Sequence, residues 1–172
     1  MSQDKASLPH PDGNTFLQHA IDRVASLCDH VCVAGTADQD IEIGAALFLP
    51  DPQPHTGPIT GVISALQLAN ERSQNACLVT PVDMPQLSVD DLSMLVSRWR
   101  DGGQITCAVR QSDQHLQPLV AIYNVSLLDS LTQLAASTDR SLYRWVQSQP
   151  HQIVQLSDHA CHNVNSPSDL SG

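Results

Sequence analysis

Apolar residues recur along the chain with two periods, and their alternation predicts the elements. Phe16, Leu17, Ala20, Ile21, Val24 and Leu27 fall at helical spacing, so residues 14–28 read as a helix. Val31 to Ala34 is a short apolar run of strand type, and Ala45 to Leu49 is another, stopped by Pro50-Asp51-Pro52. A second helix opens at Gly57-Pro58, with Ile59, Val62, Ile63, Leu66 and Ala69 on one face; proline suits its first turn, where a missing N–H costs nothing. Cys77 to Thr80 reads as a central strand. Ser88 with Asp91 forms a capping-box pattern ahead of the stripe Val89, Leu92, Leu95, Val96 and Trp99.

The second half continues in the same way. Ile105 to Val109 and Leu119 to Tyr123 are strands on either side of the polar stretch Arg110 to Gln117. Ser126 with Asp129 suggests a second capping box, before Leu127, Leu128, Leu131 and Leu134. A short helix is expected from Arg140 to Gln147, a strand from Gln152 to Leu156, and a further helix start at Ser166-Pro167-Ser168-Asp169.

Strands alternating with helices predict an α/β domain on a mostly parallel sheet. No repeat, low-complexity tract or linker divides the 172 residues, so residues 1–172 read as one domain. The first helix has no strand before it: Met-Ser-Gln-Asp-Lys-Ala-Ser holds no apolar run. In a doubly wound sheet, the first strand, loop and helix normally supply the phosphate cradle.

Composition narrows the function. A hydrophobic content of 41% is that of a globular chain. No apolar run is long enough to cross a bilayer and no signal segment opens the sequence, so the expected location is the cytoplasm, without a membrane partner. Five cysteines, without a CxxC pair, read as buried reduced thiols. His159-Ala-Cys161-His162 has metal-ligand residue types but no second ligand pair to balance it. A net charge of −10 argues against nucleic acid, which demands a basic footprint. It also makes any triphosphate site depend on local cations, and Lys5 is the single lysine among 8 basic residues.

Three places carry candidate chemistry. In Thr80-Pro81-Val82-Asp83-Met84-Pro85 a carboxylate lies just beyond an apolar strand, where an open α/β sheet presents ligands. Asp83 could hold a nucleotide-bound Mg²⁺, or it could simply cap its turn. Asn163 and Asn165 put two amides on one face of an extended segment, suited to a heteroaromatic ring or a phosphate, or to a surface turn. Gly61, inside the second helix, costs about 1 kcal/mol relative to alanine. Close packing on the sheet and close approach of a ligand both account for it.

Taken in order, these fragments resemble a known family. Asp4-Lys5-Ala6-Ser7-Leu8-Pro9 with Phe16-Leu17-Gln18-His19 resembles the end of its nucleotide-binding signature and first helix, and Gly57-Pro58-Ile59-Thr60-Gly61 its Gly-Pro-Leu-x-Gly element. Pro81-Val82-Asp83-Met84-Pro85 resembles its Cys-Asp-Met-Pro metal loop. Gln117 to Tyr123 and Arg140-Ser141-Leu142 resemble its acceptor-side elements, and Asn163-Val164-Asn165-Ser166-Pro167-Ser168-Asp169-Leu170 its closing Asn-x-Asn-Thr-Pro-x-Asp-Leu. The family is the molybdenum cofactor guanylyltransferases.

The resemblance implies a Rossmann-like, three-layer nucleotidyltransferase domain of the nucleotide-diphospho-sugar transferase type. It implies transfer of GMP from Mg·GTP to molybdopterin, with release of pyrophosphate and Mg²⁺ as the cofactor. Lys5 would contact the phosphates and act in catalysis with Asp83, the metal ligand. Asp51, Gly57, Pro58 and Gly61 would line the nucleotide site, which favours the ligand reading of Gly61. Arg140, Asn163 and Asn165 would face the molybdopterin. GTP and molybdopterin are then the small-molecule partners, with molybdoenzyme maturation proteins as candidate macromolecular ones.

Against the family pattern, the chain lacks the opening strand and its Leu-Ala-Gly-Gly-x-Ser-x-Arg-Met-Gly loop. Weak or absent activity is one expectation from that, and a start placed too late is a second. A non-catalytic molybdopterin-binding or partner protein is a third. Within the enzyme class a cytidylyltransferase is an alternative, but Asp83-Met84-Pro85 favours guanylyl transfer.

Overall fold

The computed structural model describes residues 13–36, 43–51, 57–100 and 102–164. Its elements follow the hydrophobic pattern: α1 (Phe16–Ala25), β1 (Cys32–Gly35), β2 (Leu47–Pro50), α2 (Pro58–Glu71), β3 (Ala76–Val79) and α3 (Val89–Arg100). Then come β4 (Ile105–Arg110), β5 (Leu116–Asn124), α4 (Leu128–Ala136), α5 (Leu142–Ser148) and β6 (Gln152–Leu156). The helix start expected at Ser166 lies outside the described residues, as do Lys5 and Asn165. Among the described residues no helix is long and apolar enough to cross a membrane.

Side-chain caps fix where several helices begin. Gln18 N donates to Thr15 Oγ1 at 3.1 Å, satisfying an amide that the helix itself cannot. The Ser88 box is reciprocal: Asp91 N donates to Ser88 Oγ at 3.1 Å, and Ser88 N donates to Asp91 Oδ2 at 2.9 Å. The second expected box does not form. Asn124, at the end of β5, accepts from Ser126 N at 2.9 Å and starts a single 3-10 turn, Val125–Leu127, from which α4 continues without a side-chain cap. An upstream amide-bearing side chain captures the N–H before Ser126 can act as the cap.

The strands form two groups. β1 and β2 pair in parallel, Cys32 with Leu47 through Gly35 with Pro50. The other four are ordered β3-β5-β4-β6. β4 and β6 are parallel, whereas β5 is antiparallel to both β3 and β4. β3, β4 and β6 therefore share one direction, and β5 is the reversed strand of a mixed sheet. The reason is local: β4 and β5 are joined by a tight turn in which Gln114 N donates to Arg110 O at 2.9 Å, far too short for a parallel crossover.

Period-two alternation sends side chains to two separate cores. Cys107, Val109, Ala121 and Tyr123 face α2, α4 and α5, packing on Leu66, Leu131 and Val146. Ala108, Val120, Ile122 and Leu156 face α1 and α3, packing on Val24, Leu92 and Leu95. Helices thus cover both faces of the sheet, giving the expected three layers.

Between β1 and β3 the layer is open. β1 is hydrogen-bonded to β2 alone and β3 to β5 alone, so among the described residues each leaves one edge unpaired. Both strands line a cavity of about 690 Å³ that reaches α2 on one face and α1 and α3 on the other.

Candidate active site

One end of this cavity reaches the residues that follow β2 and β3, at the carboxyl ends of strands where an open α/β sheet presents ligands. Asp51, Gly57, Pro58 and Gly61 line one side of it, and Thr80, Pro81 and Val82 the other.

On the β2 side the chain leaves the strand at Asp51, whose N–H donates to Gly35 O at 2.8 Å. The half-buried Asp51 carboxylate accepts from Thr60 Oγ1 at 3.0 Å, and the same hydroxyl is 3.0 Å from Gly57 O. A threonine in the first turn of α2 therefore ties the strand end to the helix start. Gly57 is the N-cap of α2 with φ 81° and ψ −179°, a conformation essentially reserved for glycine. At Gly61 a Cβ would lie 3.0 Å from the Ala34 Cβ. Close packing of α2 on β1 is therefore a sufficient reason for that glycine, on the same side of the helix that borders the cavity.

On the β3 side Asp83 is half-buried, on a loop anchored by the buried Met84 and Leu87. Its own carbonyl accepts from Val164 N at 2.8 Å. Val82 packs with Phe16 and Val164, so the start of α1, the aspartate loop and the closing segment meet in one small cluster. That contact brings the exposed Asn163 beside the Asp83 loop. Arg140 is exposed ahead of α5, and its Nε donates to Ser137 O at 3.3 Å.

Arg23 is the residue of this region that motif reading misses. It is 4% exposed, and its guanidinium donates to Leu87 O at 2.6 Å, Met84 O at 3.2 Å and Thr80 Oγ1 at 3.2 Å. Burial pulls its pKa down to about 10, while the Asp91 carboxylate acts in the opposite direction. The available signal was positional: Arg23 lies at helical spacing from Phe16, Ala20 and Leu27, within the apolar face of α1.

All five cysteines are free thiols. Cys107 and Cys161 are buried, and Cys77, Cys28 and Cys32 border the cavity. Among the described residues no three His, Cys, Asp or Glu side chains gather as a metal cage, and His159-Ala-Cys161-His162 forms none.

The model of the MobA-like NTP transferase domain matches residues 1–154. The chain belongs to the MobA-like NTP transferase family. A protein named "probable molybdenum cofactor guanylyltransferase" from Rhodopirellula baltica is 43% identical over 99% of this chain and 83% of its own. A molybdenum cofactor guanylyltransferase of Shewanella putrefaciens is 24% identical over 96% of this chain and 85% of its own.

Among solved structures, molybdopterin-guanine dinucleotide biosynthesis protein A of Archaeoglobus fulgidus superposes with a TM-score of 0.72 at 20% identity, covering 98% of this chain and 88% of that one. The 2-C-methyl-D-erythritol 4-phosphate cytidylyltransferase of Thermus thermophilus superposes with a TM-score of 0.68 at 18% identity, covering 97% and 90%. At those identities the structures speak for the fold, which is the nucleotidyltransferase α/β fold expected from the sequence.

Proposed function

We propose that this family member is a molybdenum cofactor guanylyltransferase, joining GMP from Mg·GTP to the phosphate of molybdopterin. The observation that carries the reading is the likeness, at 43% identity over 99% of this chain, to a protein named "probable molybdenum cofactor guanylyltransferase". The placement of Asp51 and Asp83 beyond the ends of β2 and β3 agrees with it.

The donor chemistry suits Mg²⁺. Asp83 offers hard carboxylate oxygens, and Mg²⁺ takes one or two carboxylates with water and phosphate oxygens, needing no all-protein cage. Bound there, Mg²⁺ would neutralise phosphate charge as the transition state forms. Lys5 would contact the phosphates, Gly57, Pro58 and Gly61 would line the nucleotide, and Arg140, Asn163 and Asn165 would face the molybdopterin. In the transfer an ionised oxygen of the molybdopterin phosphate bonds to the α-phosphorus of GTP, the bond to the β-phosphate breaks, and pyrophosphate leaves. The nucleophile carries no proton to remove, so positioning and electrostatics suffice without a general base.

We read the activity of the 172-residue chain as low. The loops of the site hang from β2 and β3, and among the described residues the layer between them is unpaired at the β1 and β3 edges. The test is incubation with molybdopterin, Mg²⁺ and α-labelled GTP or CTP, scored for labelled dinucleotide, with GTP affinity measured by calorimetry. Slow formation of the guanine dinucleotide that is lost in Asp83→Asn is expected. Product from CTP alone would move the protein to cytidylyl transfer. Molybdopterin binding with no product from either nucleotide would make it a non-catalytic binder.

A further inference from the structure

Helix α1 carries a charge where its period calls for an apolar side chain. Arg23 is buried beside Val24 and below the loop 80–87, with its Nε left without a partner. A buried cation is unfavourable unless its hydrogen bonds repay desolvation. Here all the bonds of its two terminal nitrogens go to one loop: Thr80 Oγ1, Met84 O and Leu87 O.

Those acceptors have a common geometry. Thr80 and Met84 bracket Asp83 in sequence, and Leu87 ends the loop just before the Ser88 cap of α3. Met84 and Leu87 anchor the loop in the core, and within it Leu87 N donates to Met84 O at 3.3 Å. Val164 N grips the Asp83 carbonyl from the opposite side. Arg23 thus fixes both ends of the segment that carries Asp83. A planar guanidinium can hold several acceptors in a fixed fork, which a single ammonium cannot reproduce.

We propose that Arg23 is a positioning residue, which clamps the Thr80–Leu87 loop from beneath and so sets the Asp83 carboxylate for a divalent cation. The proposal rests on the reading of Asp83 as the metal-holding residue.

Arg23→Met keeps much of the side chain's bulk and removes the donors, and Arg23→Lys keeps the charge without the fork. For each, and for Asp83→Asn, three quantities are measured on the full chain: the melting temperature, amide exchange of residues 80–87, and Mn²⁺ affinity by electron paramagnetic resonance. In Arg23→Met, exchange of the loop accelerates and Mn²⁺ affinity falls by about tenfold or more, as is usual for residues that orient a metal ligand. Arg23→Lys falls between Met and wild type, and remains informative if Arg23→Met does not fold. Asp83→Asn loses Mn²⁺ binding while its loop exchanges as in wild type, which a merely destabilised loop would not do. Wild-type exchange in Arg23→Met or Arg23→Lys overturns the clamp, and fast exchange with wild-type Mn²⁺ affinity overturns its role towards the cation. Wild-type protein that binds no Mn²⁺, or Asp83→Asn that binds normally, overturns the reading of Asp83 itself, and with it the function assigned to the clamp.

Discussion

Replacing Gly57 with alanine isolates a backbone term, because among the described residues an added Cβ there meets no atom within 4 Å. What remains is conformation. With φ 81° and ψ −179° the residue lies where L side chains are strained, at a cost of about 1–3 kcal/mol. Alanine returns about 0.4–1 kcal/mol by restricting the unfolded chain. The net is a destabilisation of about 1–2 kcal/mol, taking the middle of both ranges. With a urea slope of about 2 kcal/mol/M, the midpoint should fall by roughly 0.5–1 M at unchanged slope. Gly35→Ala is the control: its Cβ would sit 3.9 Å from Phe48 Cε2, an ordinary contact, and its φ is not in the positive range. That variant should match wild type or gain slightly. Equal midpoints for Gly57→Ala and Gly35→Ala would refute the strain argument and with it the assignment of Gly57 as the required glycine at the start of α2.

Other outcomes follow from single contacts. Ser88→Ala removes the hydroxyl half of the reciprocal box and should cost about 1 kcal/mol in urea denaturation, whereas Ser126→Ala, whose hydroxyl caps nothing, should cost much less. Asp113 bonds Arg110 and the His115 amide, which lower its pKa to about 2. A depressed carboxylate stabilises the fold above its unfolded pKa and loses that contribution as pH falls through about 2; carbon-detected titration should show that midpoint, and Arg110→Met should raise it. Burial pushes the Cys77 and Cys107 thiols up to about 12, so iodoacetamide at neutral pH should label both far more slowly in the native than in the urea-unfolded chain. Equal rates for Cys107 would contradict its burial.

The elements were legible where one signal had no competitor. Ser88 and Asp91 stand before a clean helical stripe, and the reciprocal cap forms as read. Ser126 and Asp129 present the same pattern, but Asn124 lies close enough to take the Ser126 amide, a rivalry that a four-residue motif does not register. The reversal of β5 was also available, since the connection from Arg110 to Leu116 is too short for a crossover. Of the site, Asp83 at the strand end was visible because proline and apolar runs frame it. Arg23 was not, because its partners are two backbone carbonyls and a hydroxyl some sixty residues away, which no local spacing encodes. Gly61 was ambiguous from the helix alone, because helix-to-sheet contact and ligand approach demand the same missing side chain, and the resemblance favoured the ligand; the 3.0 Å approach to Ala34 supplies a packing reason as well.

The open layer between β1 and β3 has a mechanical consequence. Asp51 hangs from the β1–β2 ribbon and Asp83 from the four-stranded sheet, and among the described residues no strand ladder joins the two. Their separation is transmitted instead through α2, which rests on β1 at Gly61 and on the β3 side through Ile59 and Val62. Among the described residues the two loops are therefore coupled by side-chain packing rather than by backbone hydrogen bonds. A ligand that touches both loops would act as a strut across this joint, slowing amide exchange in β1 and β2 at positions it never contacts.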